Sequence, residues 1–471
     1  MELGILRLRH GIRFADDMTP LRMTSVESKA VLAAKERYAF RGKGLGLMRR
    51  EVGRNLAGMR LRISNWLGCG VLFFVLVCAP ALMMAQGAVK PSAENLSLIK
   101  DAAQAIAAGD LKRAESELSV VLAAAPDDFR ALDLLGVIRA QQQREAEAEK
   151  LFKRAIEIKP DFASAHVGLG MLYVQIAKPD DAVPQFEEAL RLDPERADAR
   201  ASLVSVWRGE ARAAAGENDL EKALSLLLKA RKENPKDPDV LYDFGMVALR
   251  MSLFADAAQA FQEVLVLPSD VRNDTRKDDG NALYGLGRAQ MSMANFEGAR
   301  ATFERYCQVR PADASGHFAF GMTLEALQRV GEARGEFEKS IELQPAQTES
   351  FFQLGRMELE AGDLRAAEAQ FNRVLKRDPH HAGALAGMGR LKFEQKEYER
   401  AVDLLEKAVA ANAGLREAHY YLGMSYARVN RKDDSERELA IASRLEHEEV
   451  EQHQNMLRII DPEEAPAAPK K

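Results

Sequence analysis

The chain has 471 residues, of which 29% are charged and 7% aromatic, and its formal net charge is −5. That charge is uneven: residues 1–85 carry 14 Lys and Arg against 6 Asp and Glu, which leaves 52 against 65 for the remainder. An acidic body argues against a nucleic-acid surface, because phosphate contacts need clustered positive charge. Three cysteines, only one of them beyond residue 78, exclude a disulfide framework there.

Residues 1–58 are basic and show no sustained period. Residues 63–89 then carry no charge at all, with the strongest apolar run at 71–77, and Arg60 and Arg62 stand just before it. A positive flank, an apolar stretch and small-residue cleavage candidates at Ala79-Pro80-Ala81 and Met83-Met84-Ala85 have the form of a signal peptide. A signal does not normally begin some sixty residues into a protein, so the expected start is Met59 or Met48. Residues 1–58 are then either an over-extended gene start or a basic cytoplasmic segment. The competing expectation is a membrane anchor, since about 20 apolar residues span a bilayer and the positive flank keeps the N-terminus cytoplasmic. Both place the rest of the chain outside the cytoplasm. Val77 is too large for a good lipoprotein cleavage box before Cys78.

From about residue 92 to 449 the chain reads as short helices in pairs. The stretch at 348–379 is representative. Phe351, Leu354, Gly355 and Glu358 recur at helical spacing, Gly362-Asp363 breaks the helix, and Ala367, Phe371 and Val374 mark the buried face of the next. Pro379 ends the unit, because proline has no N–H to donate. The small residues Gly355 and Ala367 fit two antiparallel helices whose backbones approach closely, where a larger side chain would overpack the contact. The closing proline recurs at Pro126, Pro160, Pro194, Pro235, Pro311, Pro345 and Pro379. An alanine column runs through Ala114, Ala148, Ala182, Ala223, Ala257, Ala299, Ala333, Ala367 and Ala401, with Leu or Phe four residues after each.

The spacing of 34 residues, the Leu-Gly pair, the small residue, the aromatic and the terminal proline together resemble the tetratricopeptide repeat. The resemblance covers roughly residues 92–449. It implies an all-α, right-handed superhelical solenoid of about ten helix-turn-helix repeats whose first helices line the concave face.

Two irregularities are expected along the way. The interval from Pro194 to Pro235 holds seven extra residues around 208–214, which predict a first helix longer by about two turns, roughly 10 Å. There Val204 stands where glycine is expected and Trp207 takes the aromatic column. Residues 272–279 are charged and read as a surface loop. In the last repeat Ser435 replaces alanine, and its second helix is expected to run past Glu446 as a polar cap. Residues 450–471 are expected to be a helix extension followed by a disordered Pro/Ala-rich tail from 462.

Chemistry is sparse. Cys307 is alone in the repeats, and His380-His381 and the His447/His453 pair lack a cysteine partner, so no metal, cofactor or catalytic residue is expected. No phosphate loop or serine elbow is present, and the paired glycines such as Gly168 and Gly170 belong to the repeat itself. One constellation points to binding. Tyr242, Tyr284, Phe318, Phe352 and Tyr420 stand three residues before the repeat glycine, and Met246, Arg288, Met322, Arg356 and Met424 stand one helical turn later on the same face. Arg390 continues the second column, while Ala386 interrupts the first. Such columns suit an extended protein segment, with aromatics and methionines for apolar side chains and arginines for carboxylates. The competing expectation is that the rings pack helix against helix. The family's carboxylate clamp for chaperone tails would place Lys and Asn in these columns, so chaperone C-termini are not the expected ligand.

The resulting expectation is a non-enzymatic protein–protein scaffold or adaptor of the cell envelope. It takes a protein or peptide segment, no nucleic acid, and meets a membrane only through its N-terminal signal or anchor. An assembly factor for a secreted polysaccharide or outer-membrane machine is the alternative within that class. The targeting arm of a glycosyltransferase-like enzyme is the alternative outside it.

Overall fold

The computed structural model describes residues 92–268 and 279–460, with side chains followed to residue 448. The expected leader at 59–89, the segment before it, residues 272–278 of the charged insertion, His453 and the tail from 461 lie outside the described residues and side chains. Every regular element among the described residues is a helix. None is long and apolar enough to cross a membrane.

The described chain divides into two units. The first, residues 92–160, holds α1 (Ala93–Ala107), α2 (Leu111–Ala124), α3 (Phe129–Gln141) and α4 (Glu145–Ile158). The second, residues 161–460, begins with α5 (Ala163–Gln175), α6 (Pro179–Leu192), α7 (Ala197–Gly216), α8 (Leu220–Glu233), α9 (Pro238–Arg250), α10 (Phe254–Val266), α11 (Gly280–Ser292) and α12 (Phe296–Val309). It continues with α13 (Ala314–Ala326), α14 (Val330–Leu343), α15 (Glu349–Glu360), α16 (Leu364–Arg377), α17 (Ala382–Glu394), α18 (Tyr398–Ala411), α19 (Arg416–Arg428) and α20 (Lys432–Ile460). Odd-numbered helices open a repeat and even-numbered helices close it.

The alanine column and the Leu/Phe column are the core of both units. All nine alanines are fully buried, and none of the nine large residues four positions later is more than 1% exposed. The repeat glycine explains the fit. A Cβ at Gly355 would lie 2.8 Å from the Phe371 ring, and one at Gly321 would lie 2.7 Å from the Phe337 ring. The first helices with Gly136, Gly170, Gly245, Gly287, Gly321 and Gly355 therefore carry a notch into which the aromatic of their own second helix is pressed, and at Gly389 and Gly423 a leucine takes its place. Around Phe371 the core also takes in Ala384, Met388 and Leu391 of α17, so burial passes from one repeat to the next.

The turn inside each repeat has one geometry. The second residue after the first helix sits in the left-handed region at Gly109, Gln143, Ala177, Asn218, Ser252, Ala294, Gln328, Gly362, Lys396 and Asn430. At the α13–α14 turn, Gln328 N–H donates to the Glu325 carbonyl at 2.9 Å, and Arg329 N–H reaches back to Leu324 at 2.9 Å. That pattern is a Schellman ending, which satisfies carbonyls the helix leaves open. Where Asp follows, it caps the next helix: Asp363 accepts from Ala366 N–H at 3.0 Å.

The seven extra residues lengthen the first helix as the spacing predicts: α7 has 20 residues where α5 has 13. The added turns are tied to the next repeat. Arg208 donates to Asp243 at 2.6 Å and to Asp239 at 2.8 Å, and Arg212 donates to Asp243 at 2.9 Å. Arg250 donates to the Ala215 carbonyl at 2.7 Å. The last helix runs to Ile460, well past Glu446.

Candidate functional site

The first-helix columns do two things at once. Each ring leans on the core aromatic of its own repeat, with centroid separations of 5.7 Å for Tyr242–Phe261, 5.9 Å for Tyr284–Phe303, 5.8 Å for Phe318–Phe337 and 6.3 Å for Phe352–Phe371. Pairs of this kind contribute about 0.5–1.5 kcal/mol beyond their burial, so packing is part of the role of these rings. All four nevertheless stay half-buried, and Tyr420 is 43% exposed.

The second column is less uniform than its spacing. Met322 is 2% exposed, so it belongs to the core and offers no surface to a ligand. Thr323 and Leu324 beside it are buried as well, so this stretch of α13 is enclosed on more than one face. Met246 and Met424 are half-buried. Arg356 is held by Glu325 on α13 and donates to Gln353 at 3.1 Å. Arg390 donates to Glu417 at 2.8 Å and to Glu394 at 3.2 Å, and its guanidinium lies 5.4 Å from the Tyr421 ring. These two arginines bind neighbouring first helices to one another, a use that spacing alone does not show.

Four of the predicted residues converge. Tyr242 and Met246 of α9 and Tyr284 and Arg288 of α11 line one cavity of about 320 Å³. Its far wall is Tyr306, Arg310 and Asp313. The Tyr306 hydroxyl donates to Asp313. Burial first, and Asp313 second, hold that phenol well above its ordinary pKa, so it stays a donor. The Tyr284 ring also lies against Tyr306, with centroids 5.4 Å apart and the planes tilted by 52°. The cavity therefore has aromatic walls, a flexible thioether, two guanidinium groups and the Asp313 carboxylate that accepts from Tyr306. Phe318, Phe352, Arg356, Arg390, Tyr420 and Met424 lie outside it.

A second cluster escapes the sequence reading. Cys307 on α12, His317 on α13 and Glu336 on α14 bring a thiol, a ring nitrogen and a carboxylate oxygen within 4.8 Å of one another. The sequence does carry a trace of this arrangement. His166, His317 and His419 all stand four residues before the repeat glycine, with Gln185, Glu336 and Glu438 nineteen residues further on, and the structure joins each pair at 3.0, 2.7 and 2.5 Å.

Two tetratricopeptide repeat models match the sequence, one at residues 103–161 and 284–348, the other at 139–201, 177–242 and 358–420. Together they span more than half of the chain. The chain belongs to the tetratricopeptide repeat family. Repeats of this family are protein-interaction scaffolds and are typically non-catalytic. A search of curated proteins found no significant match. Among solved structures, MamA from Desulfovibrio magneticus RS-1 is similar at 20% identity, covering 38% of this chain and 96% of its own, with a TM-score of 0.34. YrrB, described as a tetratricopeptide repeat protein with an unusual peptide-binding site, is similar at 23% identity, covering 41% and 95%, with a TM-score of 0.32. Yeast Tom70 is similar at 14% identity, covering 76% and 86%, with a TM-score of 0.35.

Proposed function

We propose that this tetratricopeptide repeat protein is a scaffold of the cell envelope that holds an extended segment of a partner protein along its first helices, without chemistry of its own. The observation that carries this is the cavity where Tyr242, Met246, Tyr284 and Arg288 meet. Half-buried rings supply apolar area at low entropic cost, and Arg288 recognises a carboxylate on the segment. The segment should therefore carry apolar side chains with an Asp or Glu among them. The envelope location rests on the uncharged run at 63–89 behind Arg60 and Arg62.

The binding reading is tested by capture from a cell-envelope fraction with residues 90–471 as bait, comparing the parent with Tyr284→Ala and Arg288→Glu. A hot-spot aromatic typically accounts for more than about 2 kcal/mol of binding. The expected result is a partner lost from both variants, with Arg288→Glu melting close to the parent and Tyr284→Ala still folded but lowered by the packing its ring gives up against Phe303 and Tyr306. Lower melting with undiminished capture would reduce the column to packing and remove the proposal. Location is tested separately by intact mass. Protein from a periplasmic fraction should begin between residues 82 and 89, and a cytoplasmic protein retaining Met1 would overturn both the signal and the anchor.

A further inference from the structure

The cluster of Cys307, His317 and Glu336 is built from three consecutive helices, α12, α13 and α14. His317 is 8% exposed, while Cys307 and Glu336 are half-buried. One ring nitrogen of His317 settles the state of the other. Nε2 lies 3.0 Å from the Pro311 carbonyl, which can only accept, so Nε2 carries a hydrogen. In a neutral imidazole Nδ1 is then a lone pair, and it faces Glu336 Oε2 at 2.7 Å. Two acceptors that close require a cation between them, which is a proton or a metal ion.

His419 shows the proton-bridged version. Its Nε2 lies 3.1 Å from the Ala413 carbonyl, and its Nδ1 lies 2.5 Å from Glu438. The residue eight positions after the column alanine is Val409 in that case and Cys307 in this one. Only the His317 site adds a sulfur ligand to the same scaffold. A thiolate and an imidazole together favour zinc over the hard cations that oxygen ligands select. The His317–Pro311 hydrogen bond is the outer-sphere contact that orients a ligating imidazole and leaves its other nitrogen for the metal.

We propose that Cys307, His317 and Glu336 form a three-ligand zinc site, with the fourth position open to water or to a partner's side chain. Charge favours it: one Zn²⁺ is balanced by one thiolate and one carboxylate. Loading releases two protons, one from the thiol and one from between Nδ1 and Oε2. Zinc–ligand distances of about 2.0–2.3 Å put tetrahedral ligand atoms roughly 3.3–3.8 Å from one another, so a pair near the 4.8 Å limit of the cluster closes by about 1 Å, while Nδ1 and Oε2, now 2.7 Å apart, open by roughly 0.6 Å. Cys307 and Glu336, each half-buried, have the freedom to do that. Without metal the thiol is inert: burial first, then Glu336 and Asp313, push it up to about 12. The metal supplies the positive charge that makes a thiolate possible there.

The test uses the full chain with Co²⁺ as the spectroscopic probe and Zn²⁺ as competitor. The expected result is one metal per chain, a thiolate-to-cobalt charge-transfer band that zinc abolishes, and protection of Cys307 from alkylation by zinc. Cys307→Val is designed to fold, because valine already fills this position beside His419. Cys307→Val, His317→Gln and Glu336→Gln should each weaken zinc by at least about 100-fold, since even outer-sphere changes cost 10–100-fold. Cys69→Ser, Cys78→Ser and His419→Gln should leave the band unchanged. Absence of the band in the parent protein, or a band that survives Cys307→Val, would overturn the site.

Discussion

Replacing Gly355 by alanine tests the packing rule on which the glycine-bearing repeats are built. The new Cβ would stand 2.8 Å from Phe371 Cε1 and 2.9 Å from Cδ1, where carbon atoms at rest keep about 3.5–4.0 Å. The ring would have to retreat by roughly 0.7 Å or more. It cannot do so toward the next repeat, because a Cβ at Gly387 would lie only 2.5 Å from Phe371 Cζ on the other side. Overpacking of this kind costs about 1–3 kcal/mol. Helix propensity works the other way, since alanine is better than glycine inside a helix by about 1 kcal/mol. The expected net loss is therefore up to about 2 kcal/mol. Gly335 on α14 is the control, because nothing lies within 4 Å of its added Cβ and the residue is exposed. Gly335→Ala should therefore stabilise by about 1 kcal/mol through propensity alone. Hydrogen exchange is the suitable assay, because repeat arrays need not unfold in one cooperative step. Amides of α15 and α16 should lose protection first in Gly355→Ala, and adding Phe371→Leu should recover part of it, as Leu405 already faces Gly389. If Gly355→Ala and Gly335→Ala changed stability in the same direction, the notch would not be what holds the helix pair.

Two further outcomes follow from the geometry. Ala177 holds φ at 55° in an exposed turn, and an L-residue in that region costs about 1–2 kcal/mol. Ala177→Gly should stabilise the protein and Gly362→Ala, at φ 81°, should destabilise it, each by about 0.5–1 kcal/mol after the unfolded-chain entropy is counted, read as shifts of the melting temperature up and down. Arg356→Gln should cost up to about 3 kcal/mol near neutral pH, because it leaves Glu325 charged and largely buried. Burial already raises the Glu325 pKa, with Arg356 opposing it. Removing the arginine raises it further, so the folded variant takes up a proton before the unfolded chain does. The deficit in urea unfolding should therefore shrink as pH falls through the folded pKa and return as pH rises. A deficit independent of pH would refute the role assigned to Arg356.

The repeat register was legible because it depends on short-range matters: a small residue, a large one a helical turn later, a turn and a proline. Each repeat writes its own copy of that code. The copies agree even where Val204 replaces the glycine or seven residues lengthen α7, since a helix absorbs whole turns without disturbing the contact. What the columns of the first helices do was not legible. Phe318 and Met322 are one turn apart on one helix, yet the first remains half-buried and the second is enclosed, a difference that helical spacing does not encode. Arg356 and Arg390 look like ligand-binding cations in the sequence, but Glu325 and Glu417, each about thirty positions away, hold them in the structure. The same holds for Cys307, His317 and Glu336. Their types and spacing are unremarkable along the chain, and only the stacking of α12, α13 and α14 brings sulfur, nitrogen and oxygen to one point, because such meetings are fixed by contacts between repeats rather than within them.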